Sequence, residues 1–145
     1  MGELVVEKIE NGTVIDHIPA GMGAKVLSIL GSGDGLKIAL LMNVRSKSVG
    51  KKDILKFSDK QLNDREVSKI SIVAPNATLN IIKSGAVVEK KKVRVPEELI
   101  AVAKCPNPKC ITNTPEKMDT RFKAEAGKFR CAYCEMPFEP KELVI

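Results

Sequence analysis

Hydrophobic and polar residues alternate along several short stretches of the first two thirds of the chain, as they do in strands that bury one face of a sheet. Turn signals such as Asn11-Gly12 and Ser84-Gly85 separate these stretches. The predicted strands are residues 4–9, 13–18, 36–44, 51–57, 79–82 and 86–95.

Two further stretches have helical spacing of their apolar residues. Pro19 is expected to open a helix that ends before Gly31, and a polar helix is expected from residue 59 through about residue 69. An apolar run follows at residues 70–74. The order βαββαβ with an extra hairpin is typical of a ferredoxin-like sandwich, so the predicted fold class is α+β.

The composition changes at about Pro96, which suggests two domains, 1–96 and 97–145. Of the 24 Lys and Arg residues, 16 lie before residue 97 together with 10 of the 18 Asp and Glu residues. All of the net charge of +6 therefore lies in the first part, where it would attract an anionic partner. The first part contains a single aromatic residue, Phe57, whereas all four cysteines lie in the second part.

The chain lacks an apolar run of about 18 residues, the length of a membrane-spanning helix. Its N-terminus also lacks a basic segment followed by an apolar one, which is the pattern of a secretion signal. We therefore expect a cytoplasmic protein with no membrane partner.

The four cysteines form a C-x4-C pair and a C-x2-C pair that are 20 residues apart. Two such pairs on tight turns can direct four thiolates at one tetrahedral metal ion, and zinc is the usual choice. Two disulfides or a redox C-x2-C are the alternatives, but neither suits a chain without a secretion signal and with four cysteines. The second part is predicted to be a small β-rich, zinc-ribbon-like domain with one structural Zn²⁺. The predicted metal ligands are Cys105, Cys110, Cys131 and Cys134.

Basic and aromatic residues are interleaved at 121–123 and 128–130 within this second part. Such a pattern can contact nucleic acid, so a zinc-ribbon nucleic-acid-binding accessory factor is one candidate function. Strand alternation offers a simpler interpretation, in which the phenylalanines fill a small core and the flanking charges face water.

A second candidate function comes from the strand at residues 51–57. Alternation places Lys52, Ile54 and Lys56 on one face, and Asp53, Leu55 and Phe57 on the other. Two ammonium groups on one face could bind an extended phosphorylated ligand, with the carboxylate of the Asp16-His17 pair and the lysines at 90–92 nearby. Each feature alone is also consistent with solvated surface charges.

Six collinear segments closely resemble the regulatory chain family of aspartate carbamoyltransferase. They are NGTVIDHIPAG at 11–21, GKKDILK at 50–56, APNATLNII at 74–82, VVEK at 87–90, CPNPKCITN at 105–113 and CAYCE at 131–135. The resemblance covers nearly the whole chain. It implies a noncatalytic regulatory subunit that binds the nucleotide effectors CTP, UTP and ATP in its N-terminal domain and transmits feedback control of pyrimidine biosynthesis.

The resemblance also implies a nucleotide site. Asp16 is expected to hold ribose, Lys56 ribose or base, and Lys90 the phosphate tail, while main-chain groups near Gly85 read the base edge. The complete set of implied nucleotide-binding residues is Ile9, Asp16, His17, Lys52, Lys56, Asn80, Ile82, Val87 and Lys90.

The implied partners are a catalytic chain, on which the zinc domain docks, and a second regulatory chain. Together they form a heterododecamer of two catalytic trimers and three regulatory dimers. No catalytic residue is predicted, because the chain has one His and its cysteines are assigned to the metal. No nucleic acid is expected as a partner under this interpretation.

Overall fold

The computed structural model describes residues 9–31, 35–47, 50–116 and 118–145, and it contains two antiparallel sheets. The predicted strand at residues 4–9 lies outside the described residues except for Ile9. The first sheet and its two helices consist of β1 Gly12–Pro19, α1 Gly23–Leu30, β2 Ile38–Ser46, β3 Gly50–Ser58, α2 Asp64–Val73, β4 Thr78–Lys83 and β5 Ala86–Lys92. The second sheet consists of β6 Glu98–Ile100, β7 Arg121–Glu125, β8 Lys128–Cys131 and β9 Pro137–Phe138.

The first sheet has the strand order β2-β3-β1-β4-β5. Its first four strands and two helices form a β1-α1-β2-β3-α2-β4 unit with β1 and β3 in the centre, and β5 is added at one edge. The prediction of a ferredoxin-like α+β fold with an extra hairpin is therefore confirmed.

Both helices pack on one face of the first sheet, and the apolar residues beneath them form its core. Asp53, Leu55 and Phe57 are fully buried on this face, whereas Lys52 and Lys56 are only half-buried. The face assignment predicted for β3 is thus confirmed. The other fully buried apolar residues of this core are Ile15, Ile18, Val26, Ile70, Ala74 and Ala77.

Both predicted helix starts were too early. Pro19 ends β1 rather than opening α1, and a turn closed by the Met22 N–H on the Pro19 carbonyl at 2.9 Å precedes the helix. The second helix begins five residues later than expected because Asn63 and Glu66 form a capping box at its N-terminus. The apolar run at 70–74 is its last turn and C-cap.

β-bulges interrupt three of the strand pairs of the first sheet, and in the pairing of β4 with β5 the extra residue is Val88. Asp16 and His17 of β1 oppose a single residue of β3, and Met42 and Asn43 of β2 do the same. His17 and Asn43 both adopt a left-handed conformation, with φ of 59°. The sequence predicts that Leu36, Ile38, Leu40, Met42 and Val44 share one face of β2. This alternation is wrong beyond Leu40, because Met42 lies in the bulge and is 43% exposed, and Val44 pairs with Lys52 of the opposite face.

The second sheet has the order β6-β7-β8-β9 and a small core of its own. Phe122, Phe129 and Phe138 are buried there together with three of the cysteines. One residue of α2, Ile72, also belongs to this second core. A cavity of about 380 Å³ beside Ile72 is lined by α2, the 95–97 connection and the β7–β8 hairpin. Within the described residues, no helix is both long and apolar enough to cross a membrane.

Candidate functional site

The register of the first sheet brings several predicted site residues into one row. Lys56 of β3 pairs with Val14 of β1, Val14 pairs with Asn80 of β4, and Asn80 pairs with Lys90 of β5. These positions alternate with the buried core residues, so the row lies on the face opposite the helices, which we term the helix-free face. The row thus has an ammonium group at each end and an amide between them.

A neighbouring row carries the more apolar part of the predicted site. Ile82 of β4 pairs with Gly12 on one side and with Val87 on the other. The Ser84-Gly85 turn that joins β4 to β5 has φ of 52° and 77° at its two residues, as in a type I′ turn. The backbone of residues 9–11 lies against this turn, because the Gly85 N–H donates to the Glu10 carbonyl at 2.8 Å. Main-chain polar groups therefore flank this apolar row.

The β1 bulge positions Asp16 and His17 at the other end of the helix-free face. The Nζ of Lys52 lies 3.0 Å from Oδ1 of Asp16, and the backbone N–H of His17 donates to the same carboxylate oxygen at 2.6 Å. The Nδ1 of His17 is 3.2 Å from Oγ1 of Thr78, the residue that pairs with Asp16 across the strands. The bulge thus holds a carboxylate and an imidazole side by side.

The environment of Asp16 keeps it ionised. Burial acts to raise the pKa of its carboxyl group, but hydrogen bonds from Lys52 and from the His17 N–H, together with the charge of Lys52, outweigh burial. The pKa of Asp16 is therefore below its ordinary value, and the group carries a negative charge near neutral pH.

Seven of the nine nucleotide-site residues predicted from the sequence lie in these rows or in the bulge, and Lys52 contacts the bulge through its ion pair with Asp16. The ninth, Ile9, lies outside the rows, next to Glu10, whose carbonyl contacts the β4–β5 turn. Lys56 and Lys90 have no ion pair or side-chain hydrogen bond within the part of the chain that the structure describes. As far as residues 9–145 are described, the helix-free face therefore presents unpaired cations beside a paired carboxylate.

Sequence reasoning missed the role of one buried carboxylate. Asp53 is fully buried and accepts hydrogen bonds from the backbone N–H groups of Gly21, Gly23 and Asn43 at 2.7–2.9 Å. It ties the turn before α1 and the β2 bulge to the strand that carries Lys52. A charged residue on an otherwise apolar strand face was the signal that could have revealed it.

The four predicted metal ligands form a compact cluster in the second part of the chain. The four Sγ atoms all lie within 4.8 Å of one another, and the Cys105–Cys134 and Cys110–Cys131 pairs are each 3.7 Å apart. A tetrahedral ion with metal–sulfur bonds of about 2.3 Å requires sulfur–sulfur edges of about 3.8 Å. All four are free cysteines rather than disulfides, so their arrangement fits a structural metal.

Hydrogen bonds around the cluster hold the first cysteine pair in place. The Oγ1 of Thr112 donates to Sγ of Cys110 at 3.2 Å, and Nδ2 of Asn113 donates to the Cys105 carbonyl at 2.9 Å. Burial acts to raise the pKa of the Cys110 thiol, but the hydrogen bonds from Thr112 lower it to about 7. Burial raises the pKa of the Cys105 and Cys131 thiols. A cation is needed to hold all four sulfurs as thiolates.

The basic and aromatic residues at 121–123 and 128–130 follow the simpler interpretation. Phe122 and Phe129 are buried in the second core, whereas their charged neighbours are exposed. Arg130 donates to Oε2 of Glu125 at 2.9 Å, and Arg121 lies 3.9 Å from Glu98. These phenylalanines do not form a surface on which bases could stack.

A ferredoxin-like sheet with lysines on its helix-free face is thus joined to a four-cysteine module whose arrangement fits a metal, and these two parts define the class of chain. Family models for the allosteric domain and the metal binding domain of the aspartate carbamoyltransferase regulatory chain match residues 4–94 and 97–144. The chain belongs to this family, and it is therefore a regulatory rather than a catalytic chain.

Individual relatives agree with the family match. The chain is 48% identical to the aspartate carbamoyltransferase regulatory chain of Saccharolobus solfataricus over 139 residues, which cover 92% of this chain and 87% of the relative. It is 46% identical to that of Sulfolobus acidocaldarius over 147 residues, covering 98% and 90%. It is 44% identical to that of Saccharolobus islandicus strain L.S.2.15 over 147 residues, covering 98% and 92%.

Proposed function

We propose that this chain binds the nucleotide effectors CTP, UTP and ATP on its helix-free face and transmits feedback control of pyrimidine biosynthesis to a catalytic chain. The observation that carries the proposal is the row with Lys56 at one end and Lys90 at the other, next to the ionised Asp16. Asp16 is suited to ribose hydroxyls, and the lysines to the phosphates.

The lysine charges and the main-chain polar groups on the helix-free face support a nucleotide as the ligand. An ammonium group about 4 Å from a phosphate gains roughly 4 kcal/mol at the effective dielectric of a protein surface, before desolvation is subtracted. A few such contacts are sufficient for micromolar affinity. Base selection would rest on backbone groups near Ile9, Gly85 and Val87, since the first sheet has no aromatic residue on this face. Hydrogen bonds to backbone can accept a purine or a pyrimidine, so different effectors can compete for the site.

We further propose that the chain divides into a nucleotide-binding domain at 1–96 and a metal domain at 97–145. The metal is one structural Zn²⁺ bound by Cys105, Cys110, Cys131 and Cys134, because four thiolates at tetrahedral spacing suit zinc. Three large apolar residues beside the cysteine turns are exposed by 42–46%. They are Ile111, Tyr133 and Met136, and they offer a surface on which a catalytic chain could dock.

The assembly proposed for the chain follows the family resemblance. Two regulatory chains form a homodimer, and three such dimers join two catalytic trimers in a cytoplasmic heterododecamer. Regulation requires that a nucleotide bind two states of this assembly with different affinity, typically by 1–3 kcal/mol.

The experiment that tests the proposal combines titration and activity. The chain is reconstituted with its catalytic chain, and activity is measured with each nucleotide at saturating and limiting aspartate. We expect at least one nucleotide to shift the aspartate dependence in the complex and to leave isolated catalytic chains unaffected. Lys56→Ala should weaken nucleotide binding by more than about tenfold with assembly intact, and an unchanged titration would remove Lys56 from the site.

A further inference from the structure

One stripe of α2 faces the second part of the chain. Arg65 and Lys69 are four residues apart and Ile72 follows three residues later, so their side chains lie on the same side of the helix. Ile72 packs into the second core, and the stripe that contains it therefore points towards the second sheet and the cysteine turns. The two cations of α2 are directed the same way.

A cavity of about 410 Å³ lies where this stripe meets the segment before the first cysteine. Arg65 and Lys69 line it from α2, and Lys104 lines it from the residue next to Cys105. The Lys104 N–H donates to the Val144 carbonyl at 2.6 Å, and this bridge fixes the backbone of Lys104 at the cavity. The volume is within the range of sites that bind small molecules.

The cations of this cavity are not balanced by its acidic groups. Its lining side chains carry three positive charges and one negative charge, that of the exposed Asp119, which gives a net charge of +2. Arg65, Lys69 and Lys104 make no ion pair or side-chain hydrogen bond with any residue in the ranges that the structure describes. Like charges four residues apart on a helix repel each other, and Lys104 adds a third cation from the facing segment.

The chemistry of the three cations indicates which anion fits. An arginine side chain presents a planar fork that can bind two oxygens of a phosphate group, and an ammonium group binds a phosphate as a point charge. A tetrahedral oxyanion with several oxygens can contact all three cations at once. A monovalent halide offers only one charge and no directional acceptors.

We propose that this cavity binds a phosphate group, either as the free ion or as the end of a small phosphorylated molecule, and that the bound anion links α2 to the segment at Lys104. The site is separate from the nucleotide rows, because α2 covers the opposite face of the first sheet. The anion strengthens the contact that Ile72 makes between the two parts of the chain.

The test measures thermal unfolding of the full-length chain in inorganic phosphate and in chloride at equal pH and ionic strength. Phosphate should raise the melting temperature of the native chain with a saturable dependence on concentration. Arg65→Gln, Lys69→Gln and Lys104→Gln should each weaken the apparent phosphate affinity by about fivefold, which is the upper end for one exposed ion pair. The matched control is Lys109→Gln, because Lys109 is also exposed and next to a cysteine of the cluster but does not line the cavity. It should change the affinity by less than twofold.

A charge reversal separates the effect of charge from that of side-chain size. Lys69→Glu places a carboxylate between the two remaining cations, so it should raise the melting temperature without phosphate and remove the response to phosphate. Lys69→Gln should weaken the response without that gain. If the two variants behave alike, unbalanced charge is not the property that matters, and the proposal is wrong.

The remaining outcomes distinguish this cavity from the nucleotide site. Lys56→Ala, on the helix-free face, should leave the phosphate response unchanged. If Lys56→Ala abolishes the response and the cavity variants do not, phosphate acts at the nucleotide site, so this proposal fails and the proposed function stands. A response that is equal in the native chain and in all variants is a general salt effect and overturns the cavity as a site, as does no response in the native chain.

Glycerol 3-phosphate identifies the source of the phosphate group. If it reproduces the response to inorganic phosphate, the cavity accepts the phosphate end of a larger molecule. A response to inorganic phosphate alone assigns the cavity to the free ion. In both cases the response should disappear in Lys69→Glu.

Discussion

The ammonium group of Lys52 lies 3.0 Å from Oδ1 of Asp16, so two groups expected to contact a nucleotide contact each other. Their side chains are only 16% and 24% exposed, which strengthens the attraction relative to a pair in open water. A phosphate that recruits Lys52 must compete with Asp16. The pair therefore holds the Asp16 carboxylate in place.

This pair predicts a pH dependence of stability. The pKa of Asp16 is lowered in the folded chain, so its contribution to stability is complete above its ordinary value of 3.8 and is lost as the pH falls through the lower folded value. Asp16→Asn should reduce the melting temperature at neutral pH, and the difference from the native chain should shrink towards zero in acid. The exposed Asp59 serves as the control through Asp59→Asn. A melting difference that persists at low pH would contradict the role of the charge.

The buried carboxylate of Asp53 predicts a large loss of stability on truncation. Asp53→Ala leaves the buried N–H group of Gly23 and the partly buried N–H groups of Gly21 and Asn43 without their acceptor. Because an unsatisfied buried donor costs about 1–3 kcal/mol, we expect the free energy of unfolding to fall by about 3 kcal/mol or more. Chemical denaturation measures the change. Asp119→Ala, at an exposed carboxylate, should change stability by less than about 0.5 kcal/mol.

These two carboxylates show what could be predicted from the sequence. The strand β3 obeys simple alternation, so the faces of Lys52, Asp53 and Lys56 could be assigned without coordinates. The bulges at His17 and Asn43 could not, because they depend on hydrogen bonds to Thr78 and Asp53, which are 61 and 10 residues away along the chain. The start of α2 was misplaced although the capping box at Asn63 was present in the sequence, since the preceding polar residues also suit a helix.

The four-cysteine cluster was predictable for a different reason. The spacing of metal ligands along the chain is a local signal that does not depend on the surrounding fold. The two cysteine pairs therefore identified the predicted ligands directly. The packing of Ile72 of α2 into the second core was not predictable, since periodicity assigns a residue to a buried face but not to a particular core.

Removal of the metal should affect one half of the chain more than the other. The second core is small and includes the cysteines themselves, so Cys131→Ala or a strong chelator should unfold residues 97–145 and abolish association with catalytic chains. Nucleotide binding should survive, since the rows of the first sheet contain no cysteine. Size-exclusion chromatography and CTP titration measure the two effects. If Cys131→Ala still assembles with catalytic chains, the metal domain is not the docking unit. Elemental analysis of the native chain should give one zinc per chain.

Ile72 provides a test of how nucleotide binding on the first sheet is coupled to the metal domain. It belongs to α2, whose other apolar residues pack beneath the nucleotide rows, yet its own side chain lies in the second core with Phe129. A change in the first sheet can therefore reach the metal domain through direct packing of this helix. Ile72→Ala removes that contact and leaves every predicted nucleotide ligand intact. We expect the nucleotide effect on the activity of the reconstituted complex to fall at least twofold, while the Kd for CTP changes by less than about threefold.

The control for Ile72→Ala is Val73→Ala, which shortens a neighbouring side chain that packs against the first core only. If Val73→Ala and Ile72→Ala reduce the nucleotide effect equally, the loss reflects a weakened helix rather than the contact with the metal domain.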